Sequence, residues 1–419
     1  MIPLGYTMPA ASVSNKIGFI KEKYKPAGNK LITDDSESHL LTIAPTGAGK
    51  GRSNIIPACL TYPGSLVVID VKGEAARVTA NVRKKFGDVI LIDPFKVVTK
   101  NPHRFNPMDI AIHKDAYDQA GTMLATAFQG DNTTISNDPY WDHKAIELIS
   151  AITINELGAK KDFANVRKAL FNDDVDYELA KLMDSKTITS TFAYELLAAY
   201  LQIPSDKTRP CILSTAQQYV ALLGDPVVLD SLRGPSGFNV QDLIDGKPMT
   251  IYFIIPINKL DAYNSLLKLW VRSILFLLSE RKRKPQSKTL MILDECSNLG
   301  TMKPLVSSIT LMRSFGLRIW CFFQSLSQIK ERYPKEWQTI VDNSNIIEVF
   351  GINKYYSSKE IADLLGNITP HQILNMPGSE AILLMNDHRI QRVQKLDYLK
   401  DKRYRDLGYD SNPFYSNEK

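Results

Sequence analysis

Short, uniformly apolar runs separated by turn residues recur along most of the chain. They lack polar–apolar alternation, which predicts strands buried on both faces, as in a parallel sheet covered by helices. Several runs end in a polar or acidic residue, at the strand edge where α/β proteins present their chemistry. The runs are residues 40–44, 66–70, 89–93, 250–255, 290–294, 317–323, 346–350 and 381–385.

The pattern changes between residues 109 and 204, where apolar residues recur at three- and four-residue spacing. This spacing predicts helices over residues 116–128, 140–157, 164–171 and 189–201. Asp138 and Pro139 suit the N-cap and first position of the second helix. We therefore predict an α/β core, residues 1–108 and 205–419, interrupted by an all-α insertion domain, residues 109–204.

The composition fits a folded protein of two or three domains. Of 419 residues, 44% are hydrophobic and 23% charged. The four cysteines are scattered and the six histidines show no metal-ligand spacing, which argues against a zinc site or a disulfide framework. No apolar stretch reaches the roughly 18–20 residues that span a bilayer. These features predict a soluble, cytoplasmic chain.

Charge separates the two predicted domains. The chain carries a net charge of +6, but residues 109–204 hold eight Lys/Arg and fifteen Asp/Glu, a net of −7. The remainder therefore carries +13. This distribution predicts that the core meets an anionic polymer, and that the insertion meets a protein partner.

A glycine-rich turn, Ala44-Pro-Thr-Gly-Ala-Gly-Lys50, follows the first buried run. Such a turn directs backbone N–H groups at phosphates, which the lysine ammonium also contacts. The predicted nucleotide contacts are Thr46, Gly47, Ala48, Gly49, Lys50, Gly51 and Arg52.

Two positions in this turn depart from the usual P-loop pattern. Ala44 stands where glycine is usual, and Gly51 replaces the Ser or Thr that ligates Mg²⁺. Mg²⁺ would then be held by water, Asp294 and the nucleotide, or by Ser53. The alternative interpretation is a plain glycine turn with an exposed lysine.

The run at residues 290–294 ends in Asp294 and Glu295. We predict that Asp294 holds Mg²⁺ through water and that Glu295 is the general base for the attacking water. Gln324 follows the next run and could orient water or sense the γ-phosphate, unless it only caps its strand.

Other charged residues near these runs have candidate roles. Arg313 is a candidate arginine finger for a neighbouring subunit, with a solvated surface arginine as the alternative. Arg318, inside a buried run, is predicted to be structural. Asp70 and Lys72 either support the metal and phosphates or form a salt-bridged turn.

These residues resemble the coupling proteins of type IV secretion systems, the TraG/TraD family of conjugative DNA-transfer ATPases. The resemblance spans nearly the whole chain, and its order and spacing are specific although most segments are weak singly. The segments are Ile43-Ala-Pro-Thr-Gly-Ala-Gly-Lys-Gly51, Pro63-Gly-Ser-Leu-Val-Val-Ile-Asp70-Val-Lys-Gly-Glu74, Asp138-Pro-Tyr-Trp-Asp142, Ile212-Leu-Ser-Thr-Ala216, Ile251-Tyr-Phe-Ile-Ile-Pro256, Leu293-Asp-Glu-Cys-Ser-Asn-Leu-Gly300, Phe323-Gln-Ser-Leu-Ser-Gln328 and Met376-Pro-Gly-Ser-Glu380.

The resemblance implies a RecA-like P-loop NTPase core carrying an all-α domain, with ATP and Mg²⁺ as cofactors. It implies homo-hexamers with ATP bound between subunits, and a monomer in isolation. The implied partners are DNA, expected as a single strand, relaxase or effector proteins, and secretion-channel components. Family members usually begin with transmembrane helices. This chain begins where their soluble body starts, and two explanations stay open: a naturally soluble member, or one whose membrane anchor has been removed. We expect a cytoplasmic location, associated at most peripherally with the inner membrane at the secretion channel.

We therefore expect an ATP-hydrolysing coupling protein that recruits nucleoprotein or protein cargo to a type IV secretion system and drives its transfer. Two alternatives remain open at this point. One is an ATP-binding substrate receptor with little turnover, and the other is a soluble DNA translocase unconnected to a secretion channel.

Overall fold

A computed structural model describes residues 1–8, 30–129, 139–204, 207–385, 387 and 389–415. Its strands are β1 (Ile2–Thr7), β2 (Leu31–Asp34), β3 (His39–Ile43), β4 (Leu66–Asp70), β5 (Asp88–Ile92), β6 (Met249–Ile254), β7 (Thr289–Leu293), β8 (Leu317–Phe323), β9 (Ser344–Val349), β10 (Glu380–Leu384) and β11 (Ile390–Gln394). Its helices are α1 (Ile56–Thr61), α2 (Glu74–Arg83), α3 (Tyr117–Ala127), α4 (Pro139–Gly158), α5 (Phe163–Leu170), α6 (Val175–Asp184), α7 (Thr191–Leu201), α8 (Thr208–Tyr219), α9 (Pro226–Ser231), α10 (Val240–Asp245), α11 (Asn264–Ser279), α12 (Lys303–Leu311), α13 (Leu326–Arg332), α14 (Trp337–Asp342), α15 (Tyr355–Leu365), α16 (Pro370–Leu374) and α17 (Lys402–Arg405).

The described strands form one sheet in the order β2-β1-β11-β10-β9-β3-β8-β7-β4-β6-β5. Strand β3 lies parallel to β8 and β9, and β7 lies parallel to β8 and β4. All eight predicted strands are present, and the α/β fold class is confirmed. The parallel pairing predicted for residues 381–385 is wrong, because β10 runs antiparallel to β9. A fully buried strand has the same apolar pattern in either orientation, so the sequence could not distinguish them.

The register of the parallel strands aligns their carboxyl ends, where the candidate site residues lie. Ile43 of β3 pairs with Phe323 of β8, and Ile69 of β4 pairs with Leu293 of β7. The residues that follow these pairs therefore emerge side by side at the carboxyl edge of the sheet. The amide of Ala44 continues the pairing, since it donates a 2.9 Å hydrogen bond to the carbonyl of Phe323.

The chain divides into two compact units. One comprises Met1–Ile90, Asp245–Phe253 and Lys282–Lys419, and it contains most of the sheet. The other comprises Leu91–Ile244 and Ile254–Arg281, and it is mainly helical. The second unit is larger than residues 109–204, and the domain bounds stated from the sequence stay a prediction.

Helix α4 is the centre of the helical unit. It is buried along most of its length and packs against α3, α5, α7 and α8. Buried Asp142 on α4 accepts a hydrogen bond from the Tyr219 hydroxyl of α8. The four helices predicted between residues 109 and 204 are confirmed, whereas α6 was not predicted. Asp138, the expected N-cap of α4, lies outside the described residues.

Helix α11 contains the longest apolar stretch of the sequence. Its Arg272 donates a 2.8 Å hydrogen bond to the hydroxyl of Thr126 on α3. Burial lowers the pKa of this guanidinium to about 10. Across the described ranges, no helix combines the length and apolar character needed to cross a membrane.

Helices α3 and α4 are in close contact at Gly121. A Cβ at this position would lie 2.4 Å from Cγ1 of Ile154 and 3.1 Å from its backbone nitrogen. Since neither atom is the free end of a flexible side chain, any residue larger than glycine requires the two helices to move apart.

We expect Gly121→Ala to lower the free energy of unfolding by about 1–3 kcal/mol, measured by urea denaturation. The matched control is Gly378→Ala, where the added Cβ would meet no heavy atom within 4 Å among the described residues. We expect the control to change stability by less than about 0.5 kcal/mol. Equal stability of the two variants would contradict the close packing at Gly121.

Candidate nucleotide-binding site

The glycine-rich turn lies between β3 and the chain that leads into α1. Gly47 and Gly49 adopt φ angles of +79° and +97°, a left-handed conformation that costs glycine little. After Lys50, residues Gly51–Ile55 form a π-helical turn that continues into α1. The loop therefore has the strand–turn–helix setting in which backbone N–H groups bind phosphates.

Lys50 of this loop is connected by hydrogen bonds to Glu295, and Glu295 to Gln324. The Nζ atom of Lys50 lies 2.9 Å from Oε1 of Glu295 and donates a second hydrogen bond of 3.2 Å to the carbonyl of Ala44. Oε2 of Glu295 accepts a 2.8 Å hydrogen bond from Nε2 of Gln324. The ends of β3, β7 and β8 thus bring together three residues that the sequence predicted to act together.

Glu295 reaches this position through an unusual backbone conformation. Its φ and ψ of +57° and +55° are left-handed, which costs a non-glycine residue on the order of 1 kcal/mol. Such outliers often occur at functional sites, where the surrounding structure holds them in place. Here Lys50 and Gln324 hold the Glu295 side chain in place, because each donates a hydrogen bond to one of its carboxylate oxygens.

Asp294 lines the same cleft as Lys50, Thr46 and Glu295. Its carboxylate accepts no hydrogen bond from a described residue, and it is partly exposed to the cleft. Withdrawal from water and the neighbouring charge of Glu295 raise its pKa to about 7. A nearby cation would stabilise the charged form of a carboxylate in this environment. Carboxylate oxygens are also the type of ligand that Mg²⁺ prefers.

The cleft has a volume of about 710 Å³, part of it open to solvent. Among the described residues, no group of three or more His, Cys, Asp or Glu side chains could hold a metal ion alone. This fits Mg²⁺ of the kind bound by one or two carboxylates together with substrate phosphates and water.

The carboxylate of Asp70 is hydrogen-bonded to the backbone at the beginning of α2. Its carboxylate accepts hydrogen bonds from the backbone N–H groups of Lys72, Glu74 and Ala76 at 3.4, 3.1 and 2.8 Å. Burial raises its pKa to about 6. Asp70 therefore caps the helix, whereas the exposed side chain of Lys72 lines the cleft.

The three arginines singled out in the sequence lie in different places. Arg52 makes a bidentate pair with Asp397, with both N–O distances 2.7 Å. Arg318 is buried and paired with Asp34, as expected of a structural residue. Arg313 precedes the amino end of β8, at the sheet edge opposite the glycine-rich turn, and donates a long 3.5 Å hydrogen bond to the Asn343 carbonyl. Its action on a neighbouring subunit stays a prediction, as does nucleotide contact by Arg52.

The C-terminal region supports the loop, which no sequence pattern indicated. The Nζ atom of Lys395 donates a 2.7 Å hydrogen bond to the carbonyl of Ala48 and lies 4.4 Å from the ring centroid of Phe350. Burial lowers the pKa of Lys395 to about 8. Tyr415 lines the cleft. The only signal in the sequence was the basic character of this region, which does not specify a partner.

A buried carboxylate lies behind the loop. Glu348 of β9 accepts hydrogen bonds from the Thr42 hydroxyl of β3 at 2.9 Å and from Nδ2 of Asn54 at 2.6 Å. Thr42 in turn accepts a 2.9 Å hydrogen bond from the Trp320 indole. Burial raises the pKa of Glu348 to about 7. This network joins three strands, β3, β8 and β9, to the segment that leads into α1.

The fold and the loop together define the class of P-loop NTPases. A family model described as "Type IV secretory system Conjugative DNA transfer" matches residues 7–369, and the chain belongs to this family. The resemblance to the type IV coupling proteins is thereby confirmed.

Several known proteins resemble the chain. The type IV secretion system-coupling protein VirD4 of Bartonella quintana (strain Toulouse) is 23% identical, over 80% of this chain and 54% of its own length. The conjugal transfer protein TraG of Escherichia coli is 24% identical, over 79% and 55%. The chain thus spans about half the length of these relatives.

Solved structures share the fold. The plasmid coupling protein TrwB in complex with ADP and Mg²⁺ superimposes with a TM-score of 0.67 at 15% identity, covering 90% of this chain and 87% of TrwB. VirB4 of Thermoanaerobacter pseudethanolicus gives a TM-score of 0.56 at 12% identity, covering 91% and 96%. These likenesses establish the RecA-like fold.

We expect Glu348→Gln to change how stability depends on pH. The folded protein retains a proton on Glu348 where the unfolded chain, with a carboxyl pKa near 4.5, has lost it. The contribution of this group to stability therefore declines as pH rises from about 4.5 to 7. Between pH 5 and 8 the free energy of unfolding of Glu348→Gln should fall less than that of the wild type, by up to about 3 kcal/mol.

Urea denaturation at each pH measures this difference. The matched control is Glu331→Gln at an exposed position, which should follow the wild-type profile. Parallel profiles for Glu348→Gln and the wild type would show that Glu348 is charged throughout this range.

Proposed function

We propose that the protein binds and hydrolyses ATP at the glycine-rich turn and uses this cycle to deliver cargo to a type IV secretion system. The observation that carries the proposal is the convergence of Lys50, Glu295 and Gln324 beside Asp294, whose carboxylate accepts no hydrogen bond from a described residue. The structures of TrwB in complex with ADP and Mg²⁺ and with a non-hydrolysable ATP analogue support ATP and Mg²⁺ as cofactors.

Lys50 has two roles in this mechanism. In the nucleotide-free arrangement, its ammonium neutralises Glu295 at 2.9 Å. Phosphate groups in the loop offer several negative charges, so the ammonium would turn from Glu295 to the β- and γ-phosphates. Glu295 would then lose its cation and become a stronger base. Binding of the substrate would in this way activate the residue that acts on water.

The hydrolytic step uses residues from two neighbouring strands. Glu295 would accept a proton from water as the water oxygen bonds to the γ-phosphorus and the bond to the ADP oxygen breaks. Gln324, already hydrogen-bonded to Glu295, would orient that water. Asp294 would hold Mg²⁺, whose charge offsets the charge on the phosphates. Arg313 of a neighbouring subunit would complete the site in a hexamer.

The cargo assignment follows from family membership and charge. The part of the chain outside residues 109–204 carries a net charge of +13, which suits contact with the phosphate backbone of single-stranded DNA. The acidic helical segment, with a net charge of −7, suits a basic relaxase or effector protein. Secretion-channel components at the inner membrane would be further partners.

One observation favours a second function, an ATP-dependent receptor with little turnover. Gly51 offers no hydroxyl to the metal, and Lys50 is held by Glu295 without nucleotide. ATPase rates with and without single-stranded DNA separate the two functions. A motor should show turnover that DNA increases, whereas a receptor should show negligible turnover in both conditions.

We expect Lys50→Ala to abolish ATP hydrolysis, because the loop loses its cation for the β- and γ-phosphates. Release of inorganic phosphate is the measurement. The matched control is Lys359→Ala on α15, an exposed lysine away from the cleft, which should retain the wild-type rate. Full activity in Lys50→Ala would refute the assignment of the site.

We expect Glu295→Gln to bind ATP but to hydrolyse it about 100- to 10,000-fold more slowly, because the general base is lost. The amide retains the shape of the side chain and can still contact Gln324. Filter binding of radiolabelled ATP should show nucleotide that stays bound as ATP. Rapid conversion to ADP would assign the base to another residue.

A further inference from the structure

Glu74 faces Gly51, the position of the loop that lacks a hydroxyl. A Cβ built on Gly51 would lie 3.6 Å from Oε2 of Glu74 and 3.8 Å from Oε1. Both distances are ordinary van der Waals contacts, so a serine side chain would fit there. A hydroxyl on this Cβ could reach the Glu74 carboxylate, which therefore lies beside the place where other P-loops present their metal-binding oxygen.

Glu74 is held in this orientation from two sides. It is the first residue of α2, and its backbone N–H donates to the Asp70 carboxylate at 3.1 Å. Its Oε1 accepts a 2.8 Å hydrogen bond from Nδ2 of Asn412. The same Asn412 amide donates 2.7 Å to the Tyr398 hydroxyl, which fixes the amide in turn. Both carboxylate oxygens therefore lie near Gly51, and Oε2 is the one that Asn412 leaves without a hydrogen bond.

The Glu74 carboxylate has one side-chain hydrogen-bond partner, Asn412, among the described residues. Its Oε2 accepts no hydrogen bond from them, and no described Lys or Arg forms a salt bridge with Glu74. Asp294, on the same cleft, also accepts no hydrogen bond from a described residue. Two such carboxylates beside a phosphate-binding loop would repel an anionic nucleotide unless a cation came with it.

We propose that Glu74 supplies the oxygen ligand, directly or through one water, that the missing Ser or Thr hydroxyl supplies to Mg²⁺ in other P-loops. Gly51 and Glu74 then form a complementary pair, in which one residue leaves the space and the other provides the oxygen. Asp294 is the second protein ligand, and the nucleotide phosphates and water complete the set, as is usual for Mg²⁺. The inference rests on the proposed binding of nucleotide at this loop.

The test is Glu74→Gln, which removes the charge but keeps an oxygen that can accept the Asn412 hydrogen bond. Calorimetry measures the ADP dissociation constant of the full chain with Mg²⁺ and with EDTA, so the result does not depend on turnover. The gain in ADP affinity on adding Mg²⁺ should fall about tenfold or more in Glu74→Gln. In EDTA, ADP affinity should stay the same or rise, because a repelling carboxylate is gone.

Two further variants isolate the role of the oxygen. Adding Gly51→Ser to Glu74→Gln should restore most of the Mg²⁺ effect, since a hydroxyl then occupies the vacant space. Glu331→Gln, at an exposed position that does not line the cleft, should change the Mg²⁺ effect by less than about threefold. A purely structural role for Glu74 does not predict the rescue by Gly51→Ser.

An unchanged Mg²⁺ effect in folded Glu74→Gln would overturn the inference while leaving nucleotide binding intact. Absence of ADP binding by the wild type in both conditions would overturn the proposed function instead. If Glu74→Gln fails to fold, by far-ultraviolet circular dichroism, Glu74→Asp is the substitute. Its shorter carboxylate should weaken the Mg²⁺ effect, and an unchanged effect would again overturn the inference.

Discussion

The parallel register of β4, β7, β8 and β3 is the constraint on which the candidate site depends. Pairing of Ile69 with Leu293 and of Ile43 with Phe323 makes neighbouring strands end at the same level. The glycine-rich turn, the acidic pair and Gln324 are separated by up to about 280 residues of sequence, yet each directly follows a strand. A one-residue slip would turn the side chains of a strand to the other face of the sheet and separate these groups.

Within this frame, electrostatics determines how the site responds to a nucleotide. Lys50 is the cation placed between the loop and Glu295. Asp294 and Glu74 form no salt bridge with a described side chain, and burial, together with the charge of Glu295, raises the pKa of Asp294. Phosphates and a divalent cation together would stabilise both the lysine and the two carboxylates, because the phosphates attract Lys50 and the cation attracts Asp294 and Glu74. The arrangement therefore favours a metal–nucleotide complex over nucleotide alone.

The sequence predicted much of this arrangement, for an identifiable reason. In parallel sheets, residues that directly follow buried strands meet at one edge, so Lys50, Asp294, Glu295 and Gln324 could be assigned to one place from local patterns. Side-chain pairing across the sequence could not be assigned in the same way. The contacts from Lys395 to Ala48 and from Asn412 to Glu74 join residues more than 330 positions apart, and no periodic pattern marks them. Strands β1, β2 and β11, which pair in the antiparallel part of the sheet, were also missed, because they lack the uninterrupted apolar runs from which the other strands were predicted.

A crystal structure with Mg²⁺ and a non-hydrolysable ATP analogue tests the central claim most directly. The account predicts that Nζ of Lys50 leaves Oε1 of Glu295 and lies within hydrogen-bonding distance of the β- and γ-phosphates, while Gln324 remains near Glu295. An analogue bound away from the glycine-rich turn, or a Lys50–Glu295 pair that persists beside bound phosphates, would contradict it.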